Sequence, residues 1–359
     1  IYNEEAVLTL EHRAPAGKNK VALREDKLHY AIFGKEHIEE GALQQMETAV
    51  SLPISVAGAL MPDAHQGYGL PIGGVLATEA GKVIPYAVGV DIACRMCMSV
   101  FDIPADYFKR EPHYLKKILN ENTKFGMGGE TARKYDDSVM DQPEWEATKT
   151  IRSLKDKAYR QLGTSGTGNH FVEWGIVEVF ENDPLLILPK LAMQKPVLPK
   201  QAAHLAWLDL NTQEGQEYWI AMNLAGDYAS ANHHEIHNKM AKSLGEKPLK
   251  IIENHHNFAW KEKLADGREV IVHRKGATPA GTDELGIIPG SMAQPGYVIR
   301  GKGNATSIHS ASHGAGRLLS RTKAFTTTTR SQMNKILQDN GIELIGGDLD
   351  ESPMVYKNI

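Results

Sequence analysis

Two hydrophobic patterns alternate along the chain. Short apolar runs broken by glycines occupy residues 61–78 and 83–97, a pattern that is typical of buried strands rather than helices. Apolar residues recur near helical spacing from about Glu214 to Leu244, which predicts one long helix. Residues 89–93 are expected to form a strand that leads into a turn. The patterns predict an α+β fold of strand-rich layers flanked by helices, with loops assembling the site.

Composition limits the classes of protein that this chain can represent. Its 359 residues are 42% hydrophobic, without a Pro/Ser-rich linker or an internal repeat, which favours a single domain over residues 1–359. No apolar run approaches the roughly 20 residues of a membrane span, so we expect a cytoplasmic protein without a membrane partner. A net charge of −4 argues against nonspecific coating of nucleic acid but allows a local basic groove. Candidate groove residues are Arg274, Lys275, Arg300, Lys302, Arg317 and Arg321.

His313 has the sequence context of a nucleophile that acts on phosphate. It lies in S-A-S-H-G-A-G-R, residues 310–317, where the following Gly-Ala-Gly lets backbone amides approach a phosphate closely. Arg317, expected one helical turn further on, could neutralise the phosphate charge. The alternative is a helix N-terminal turn capped by Ser312, with His313 exposed by chance.

Asp91 and Cys94 are spaced to present a carboxylate and a thiolate from one turn. Together with imidazole, these donors suit zinc, manganese or cobalt better than magnesium or calcium. Cys94 and Cys97 also form C-R-M-C, the spacing of a redox couple, although the expected active-site helix is missing. Otherwise Cys97 is expected to be a buried apolar residue.

Further polar residues interrupt the apolar runs. The turn at 162–174 delivers Asn169, His170 and Glu173, and E-N-H-H-N at 253–257 adds further donors. Asp63 and His65 are interpreted either as groups that orient ligands or as turn stabilisers. H-H-E-I-H, residues 233–237, lacks the final histidine of a zinc-protease motif. His233 and His237 could share a helix face as metal ligands, or they could belong to a polar helix surface.

From about residue 57 onward these motifs resemble the RtcB-type RNA-splicing ligases, which implies an RtcB-like fold. The resemblance implies that Asp91, Cys94, His170 and His256 bind metal. It also implies that His313 becomes guanylylated. Residues implied around the guanine nucleotide and its phosphates are Asn169, Phe171, Glu173, Ser291, Arg317, Arg321 and Tyr356.

The activity implied by the resemblance is RNA ligation. Such an enzyme joins RNA ends bearing a 2′,3′-cyclic phosphate or 3′-phosphate to 5′-hydroxyl ends, using GTP and manganese, with two Mn²⁺ ions expected. The expected role is RNA repair or tRNA splicing, and an activating protein is a candidate partner. Metal ions would offset the charge of the triphosphate during transfer.

The sequence departs from the family pattern in two places. The family carries a His-Ser-Gly-Ser-Arg-Gly motif after its Asn-His-Phe strand, whereas residues 174–203 contain no histidine. The sequence also stops before the family's C-terminal guanine-contacting lysine. We expect a further loop near 180–190 and a further C-terminal segment. Alternatives are a metal-dependent phosphoesterase on the same scaffold and a catalytically inactive RNA-binding protein.

Overall fold

Strands and helices are interleaved along the whole described chain. The computed structural model describes residues 21–26, 28–126, 129–131, 137–166, 170–178 and 199–359. Its strands are β1 (Ala31–Ile32), β2 (Ser55–His65), β3 (Ile72–Glu79), β4 (Lys82–Val83), β5 (Arg95–Val100), β6 (Leu208–Asp209), β7 (Lys250–His255), β8 (Asn257–Lys263), β9 (Glu269–Lys275), β10 (Ala277–Pro279), β11 (Leu285–Ile288), β12 (Tyr297–Arg300) and β13 (Ser310–Ser312). Its α-helices are α1 (Glu40–Val50), α2 (Pro85–Val88), α3 (Tyr107–Arg110), α4 (Pro112–Asn122), α5 (Lys149–Gln161), α6 (Gln213–Leu244), α7 (Arg321–Thr327) and α8 (Arg330–Asp339). The predicted α+β class is confirmed.

The chain divides into two compact units. Unit 1 combines Ile1–Cys94, Leu185–Met222 and Asn254–Ile359. Unit 2 combines Arg95–Pro184 and Asn223–Glu253. Because each unit is built from separate segments, neither corresponds to a continuous domain of the sequence. A single catalytic domain over residues 1–359 stays a prediction.

A five-stranded sheet organises unit 1. Its order is β1-β2-β3-β9-β8, with β1 and β2 parallel and the other neighbours antiparallel. Successive side chains point to opposite faces, so Leu60 joins one buried cluster and Ala59 joins another. Coverage of both faces explains the nearly continuous apolar runs of β2 and β3. The register between these strands shifts between Leu60 and His65, the stretch that contains Asp63.

The loop that follows β13 carries His313. Strands β10 and β13 are antiparallel, with Ala277 opposite Ser312, and His313 comes next in the chain. Residues 313–316 are not helical, and Arg317 forms a backbone bridge with Tyr356. The expected helical relation between His313 and Arg317, and the alternative of a Ser312 helix cap, are therefore wrong. Gly316, at φ 77°, has a left-handed backbone conformation that cannot continue a right-handed helix.

Unit 2 is built around the long helix. The predicted helix from about Glu214 to Leu244 is confirmed as α6, whose later turns belong to this unit. Ile236 and Met240 of α6 pack with Ile118 of α4 in one buried cluster. Tyr228 donates a hydrogen bond to the carbonyl oxygen of Ala158 at 2.9 Å, which fixes α5 against the same helix.

The expected strand at 89–93 is wrong. Residues 85–88 instead form α2, and residues 90–93 bend and turn. Ala93 has φ 60°, outside the range of a strand, and its amide donates to the carbonyl oxygen of Asn257 at 2.7 Å. Across the described ranges, no helix combines the length and apolar character needed to span a membrane.

Candidate active site

Asp63 and His313 form the centre of the candidate site. Asp63 is 2% exposed, and its Oδ2 accepts a hydrogen bond from His313 Nδ1 at 2.7 Å. The same oxygen accepts from the backbone amides of His313 at 3.0 Å and Gly314 at 3.4 Å. Burial alone would raise the Asp63 pKa, but the hydrogen bonds and charge of His313 outweigh it and lower that pKa. Asp63 is therefore a carboxylate at neutral pH.

The carboxylate selects the tautomer of the histidine. A hydrogen bond to Asp63 requires a proton on His313 Nδ1, so Nε2 of the neutral ring carries the lone pair. The His313 side chain is 23% exposed, so the ring is sheltered without being closed off. His65 lies beside the pair, with Nδ1 3.1 Å from the Asp63 carbonyl oxygen. Burial lowers the His65 pKa to about 4, which leaves that imidazole neutral.

Residues 355–357, which we call the C-terminal strap, hold this loop in place. The Lys357 amide donates to the Gly316 carbonyl oxygen at 2.9 Å, and the Leu318 amide donates to Val355 at 2.8 Å. Lys357 Nζ donates to the carbonyl oxygens of Pro62 at 3.1 Å and Ala64 at 2.9 Å. The strap thus contacts both the strand that carries Asp63 and the loop that carries His313.

Three of the predicted metal ligands lie together in unit 1. The Cys94 amide donates to the Asp91 carbonyl oxygen at 3.2 Å, which forms the expected turn. The His256 amide donates to the Cys94 carbonyl oxygen at 3.0 Å, and Asn257 Nδ2 donates to the Asp91 carbonyl oxygen at 3.0 Å. The His256 and His313 rings lie 4.9 Å apart between centroids. Unit 1 therefore combines a carboxylate, a thiol and an imidazole next to His313, a donor set that suits a borderline divalent cation.

The other predicted ligand, His170, belongs to unit 2. It starts the described segment 170–178, which has no regular secondary structure, and Phe171 and Glu173 of that segment are exposed. Gly166 allows the backbone to approach His170 closely, since a Cβ there would lie 2.8 Å from Nδ1. Asn169 lies outside the described residues.

The predicted phosphate-binding arginines contact acidic groups of the protein. Arg317 Nη1 lies 3.4 Å from both Glu351 carboxylate oxygens and 3.1 Å from Tyr356 Oη. Arg321 forms ion pairs with Asp350 and Glu351. Before either arginine could bind a phosphate fully, these carboxylates would have to give up part of their pairing.

Ser291 and the basic groove candidates lie in contrasting environments. Ser291 is buried, and its Oγ has no hydrogen-bond partner among the described residues.

Arg274 is 1% exposed and pairs with Glu262 within unit 1, so it is wrong as a groove residue. Lys275 is wrong for the same reason, because it is 7% exposed and its Nζ donates to the backbone carbonyl oxygens of Tyr68 and Tyr86. As successive residues of β9 the two side chains point to opposite faces of the sheet, and both are buried.

The comparisons with known proteins place this chain in the class of RNA ligases. The chain belongs to the RtcB family, since the family model described as "tRNA-splicing ligase RtcB" matches residues 45–187 and 185–359. It is 30% identical to the RNA-splicing ligase RtcB of Escherichia coli K12, with 90% of this chain and 89% of the relative aligned. It is 28% identical to the tRNA-splicing ligase RtcB of Methanococcus maripaludis, with 90% and 87% aligned. It is also 28% identical to RNA-splicing ligase RtcB homolog 1 of Entamoeba dispar, with 88% and 76% aligned.

The family match also bears on the departure noted in the sequence. Its two matched segments meet at residues 185–187, inside the stretch 174–203 that lacks histidine. The expected further loop near 180–190 falls in residues 179–198, which lie outside the described residues. That loop stays a prediction.

Proposed function

We propose that this chain joins RNA 2′,3′-cyclic phosphate or 3′-phosphate ends to 5′-hydroxyl ends, using GTP, Mn²⁺ and His313 as nucleophile. The observation that carries the proposal is the 2.7 Å hydrogen bond between Asp63 Oδ2 and His313 Nδ1. A buried carboxylate that fixes the tautomer gives Nε2 the lone pair needed to attack phosphorus. The carboxylate also stabilises the positive charge that develops on the ring as the new bond forms.

The metal ligands in this proposal are Asp91, Cys94, His170 and His256. Hydrogen bonds within unit 1 support three of them, because the backbones of Asp91, Cys94 and His256 are bonded to one another or through Asn257. Divalent metal ions supply charge neutralisation for the triphosphate when bound. Manganese, zinc and cobalt all accept such donors, so the expectation of two Mn²⁺ ions rests on the family.

The nucleotide would contact Asn169, Phe171, Glu173, Ser291 and Tyr356. The unpartnered Oγ of buried Ser291 supports this assignment, because a buried hydroxyl without a partner gains free energy from a ligand hydrogen bond. Arg317 and Arg321 would bind phosphate oxygens. For this to occur, Glu351 must give up part of its present pairing with both guanidinium groups.

Each transfer in the proposed reaction forms one bond to phosphorus and breaks another. His313 Nε2 attacks the α-phosphorus of GTP, a bond to nitrogen forms, and pyrophosphate leaves. Where the RNA ends in a 2′,3′-cyclic phosphate, water first opens it to a 3′-phosphate. An oxygen of the 3′-phosphate then attacks the phosphorus of the histidine-bound GMP, the P–N bond breaks, and the neutral histidine is restored. The RNA 5′-hydroxyl finally displaces GMP and forms the new phosphodiester. RNA is therefore the proposed partner, with an activating protein as a second candidate and the cytoplasm as the expected location.

Incubation with α-phosphate-labelled GTP and manganese tests the proposal. After denaturing electrophoresis the wild-type chain should retain label, in acid-labile and alkali-stable form, as expected of a phosphoramidate. His313→Ala should lose the label, whereas His37→Ala, which changes an exposed histidine, should keep it. Undiminished labelling of His313→Ala would reject His313 as the nucleophile.

A phosphoesterase on the same scaffold is the second candidate. It is favoured by the absence of histidine from residues 174–203, since hydrolysis needs fewer placed groups than nucleotidyl transfer. Release of inorganic phosphate from 3′-phosphorylated RNA without GTP, together with no labelled protein, would support it. Binding of RNA with neither reaction would indicate the catalytically inactive alternative.

A further inference from the structure

Unit 2 contains a cysteine and two histidines that the proposed ligation does not use. Cys97 lies on β5, and His233 and His237 lie four residues apart on α6, the spacing that places two side chains on one helix face. The Sγ atom of Cys97 and one nitrogen from each ring lie within 4.8 Å of one another. Regular secondary structure therefore holds all three donors.

A neighbouring hydroxyl orients one of the rings. Ser99 is two residues from Cys97 on β5, the spacing that places side chains on the same side of a strand. Its Oγ lies 2.8 Å from His237 Nδ1. That hydrogen bond leaves Nε2 as the ligand atom of His237, and such outer partners commonly fix the orientation of a metal-bound histidine.

The three donors are neutral before any ion binds. Burial lowers the His233 pKa to about 3 and lowers the His237 pKa, so both rings have a free lone pair at pH 7. Burial also raises the Cys97 pKa to about 12, so its thiol keeps a proton. A divalent cation would displace that proton, because the metal stabilises the thiolate directly.

The charges around the three donors balance. The Glu253 carboxylate acts on Cys97, His233 and His237, while Arg95 pairs with Glu253 and opposes it. Glu253 Oε2 also lies 3.2 Å from His234 Nε2. A cation bound to the three neutral donors would be attracted by the Glu253 carboxylate and repelled by the Arg95 guanidinium. Because these two charges largely offset each other, the surroundings would not strongly repel the cation.

We propose that Cys97, His233 and His237 form a second metal site, one that takes Zn²⁺ and pins β5 to α6. Zinc prefers thiolate and imidazole donors in tetrahedral geometry, with water in the fourth position when three protein ligands are present. Its bonds of about 2.0–2.3 Å in tetrahedral geometry place the donor atoms roughly 3.3–3.6 Å apart. Donors that lie within 4.8 Å of one another must therefore approach by up to about 1.5 Å, which side-chain rotation can supply. The site shares no ligand with the centre proposed at Asp91 and Cys94.

Cobalt titration of the 359-residue chain tests this site, with Cys94→Ala as the background. In that background the remaining thiol is Cys97, since the sequence has two cysteines. A thiolate-to-cobalt absorption band should therefore persist in Cys94→Ala and disappear in Cys94→Ala/Cys97→Ala. His233→Ala and His237→Ala should each weaken or abolish the band. Ser99→Ala should weaken cobalt binding by about 10–100-fold.

His234→Ala is the matched control, because this residue lies on the same helix between the two proposed ligands but is not part of the donor cluster. It should keep the band.

A band that survives His233→Ala and His237→Ala, or no band in Cys94→Ala, would overturn the proposal. Should Cys94→Ala fail to fold, zinc content decides: after chelation, reloading with zinc and dialysis, wild type should hold one more zinc per chain than Cys97→Ala. Equal content in these two proteins would reject the site. Loss of GTP labelling alone would bear on the ligase proposal and not on this one.

Discussion

Replacing Lys275 by methionine should change how the stability of unit 1 depends on pH. Lys275 is 7% exposed, at the end of strand β9, and its ammonium donates to the backbone carbonyls of Tyr68 and Tyr86. Burial lowers its pKa from 10.5 to about 7, because the charged form has lost most of its hydration. The methionine side chain has similar length and no charge, so it removes the titration and keeps most of the packing.

The sign follows from proton binding in the two states. Below about pH 7 the lysine is charged in the folded and the unfolded chain, so the full cost of burying the charge is present. Between about 7 and 10.5 the unfolded chain binds more protons, so the free energy of unfolding rises with pH. At 1.36 kcal/mol per pH unit, the total rise from this one group is about 5 kcal/mol as an upper limit.

Urea unfolding of wild type and Lys275→Met across pH 6.5 to 10.5 measures the effect. Groups that titrate identically in both proteins cancel in the difference, so wild type minus variant should increase by several kcal/mol over this range. Lys261→Met, on the neighbouring strand β8 and exposed, should run parallel to wild type. Parallel curves for Lys275→Met would refute the inference that the buried ammonium loses its proton near pH 7.

Asp63→Asn should slow labelling by GTP by about 10²–10⁴-fold, because the amide can donate to the ring and favour the wrong tautomer; wild-type single-turnover rates would contradict this. Gly316→Ala should destabilise unit 1 by at least about 1–3 kcal/mol, because its Cβ would lie 2.3 Å from the Asp63 carbonyl oxygen. Gly341→Ala, with a similar positive φ and no atom near, is the thermal-unfolding control. The Arg95–Glu253 pair lowers the Glu253 pKa from 4.5 to about 2 against the effect of burial, so it stabilises unit 2 above pH 4.5. That stability should be lost as pH falls toward 2, and Arg95→Met should flatten the acid limb of the unfolding curve. Ligation assays should give product from 3′-phosphate and 5′-hydroxyl RNA ends and none from the opposite polarity.

Hydrophobic periodicity predicted the long helix and the buried strands β2 and β3, but not the helix at residues 85–88. The long helix was predictable because its apolar positions keep helical spacing over many turns. It begins one residue before its predicted start. The segment 89–93 was misinterpreted, since the left-handed conformation of Ala93 is imposed by a hydrogen bond to Asn257, distant in sequence. Hydrophobic periodicity cannot predict a hydrogen bond between residues so far apart in the sequence.

Which of the candidate residues lie together could not be predicted from the sequence. Asp63 and His313 both stood out by motif, yet their hydrogen bond joins positions 250 residues apart. Arg274 and Lys275 look like surface cations in sequence, but the structure buries both and pairs them with Glu262 and with backbone carbonyls respectively. Lys357 left no signal, because its acceptors are main-chain carbonyls that any residue provides.

The C-terminal strap is the last segment of the described site to be synthesised. Residues 355–357 leave the ribosome after every other part of unit 1 that contacts them, and they bond Gly316, Pro62 and Ala64. A nascent chain that has not yet reached Lys357 has Asp63, His313 and the hydrogen bonds between them, but lacks the further backbone contacts that the strap adds. On the proposed function, reaction with GTP is expected to begin only after residues 355–357 have been synthesised.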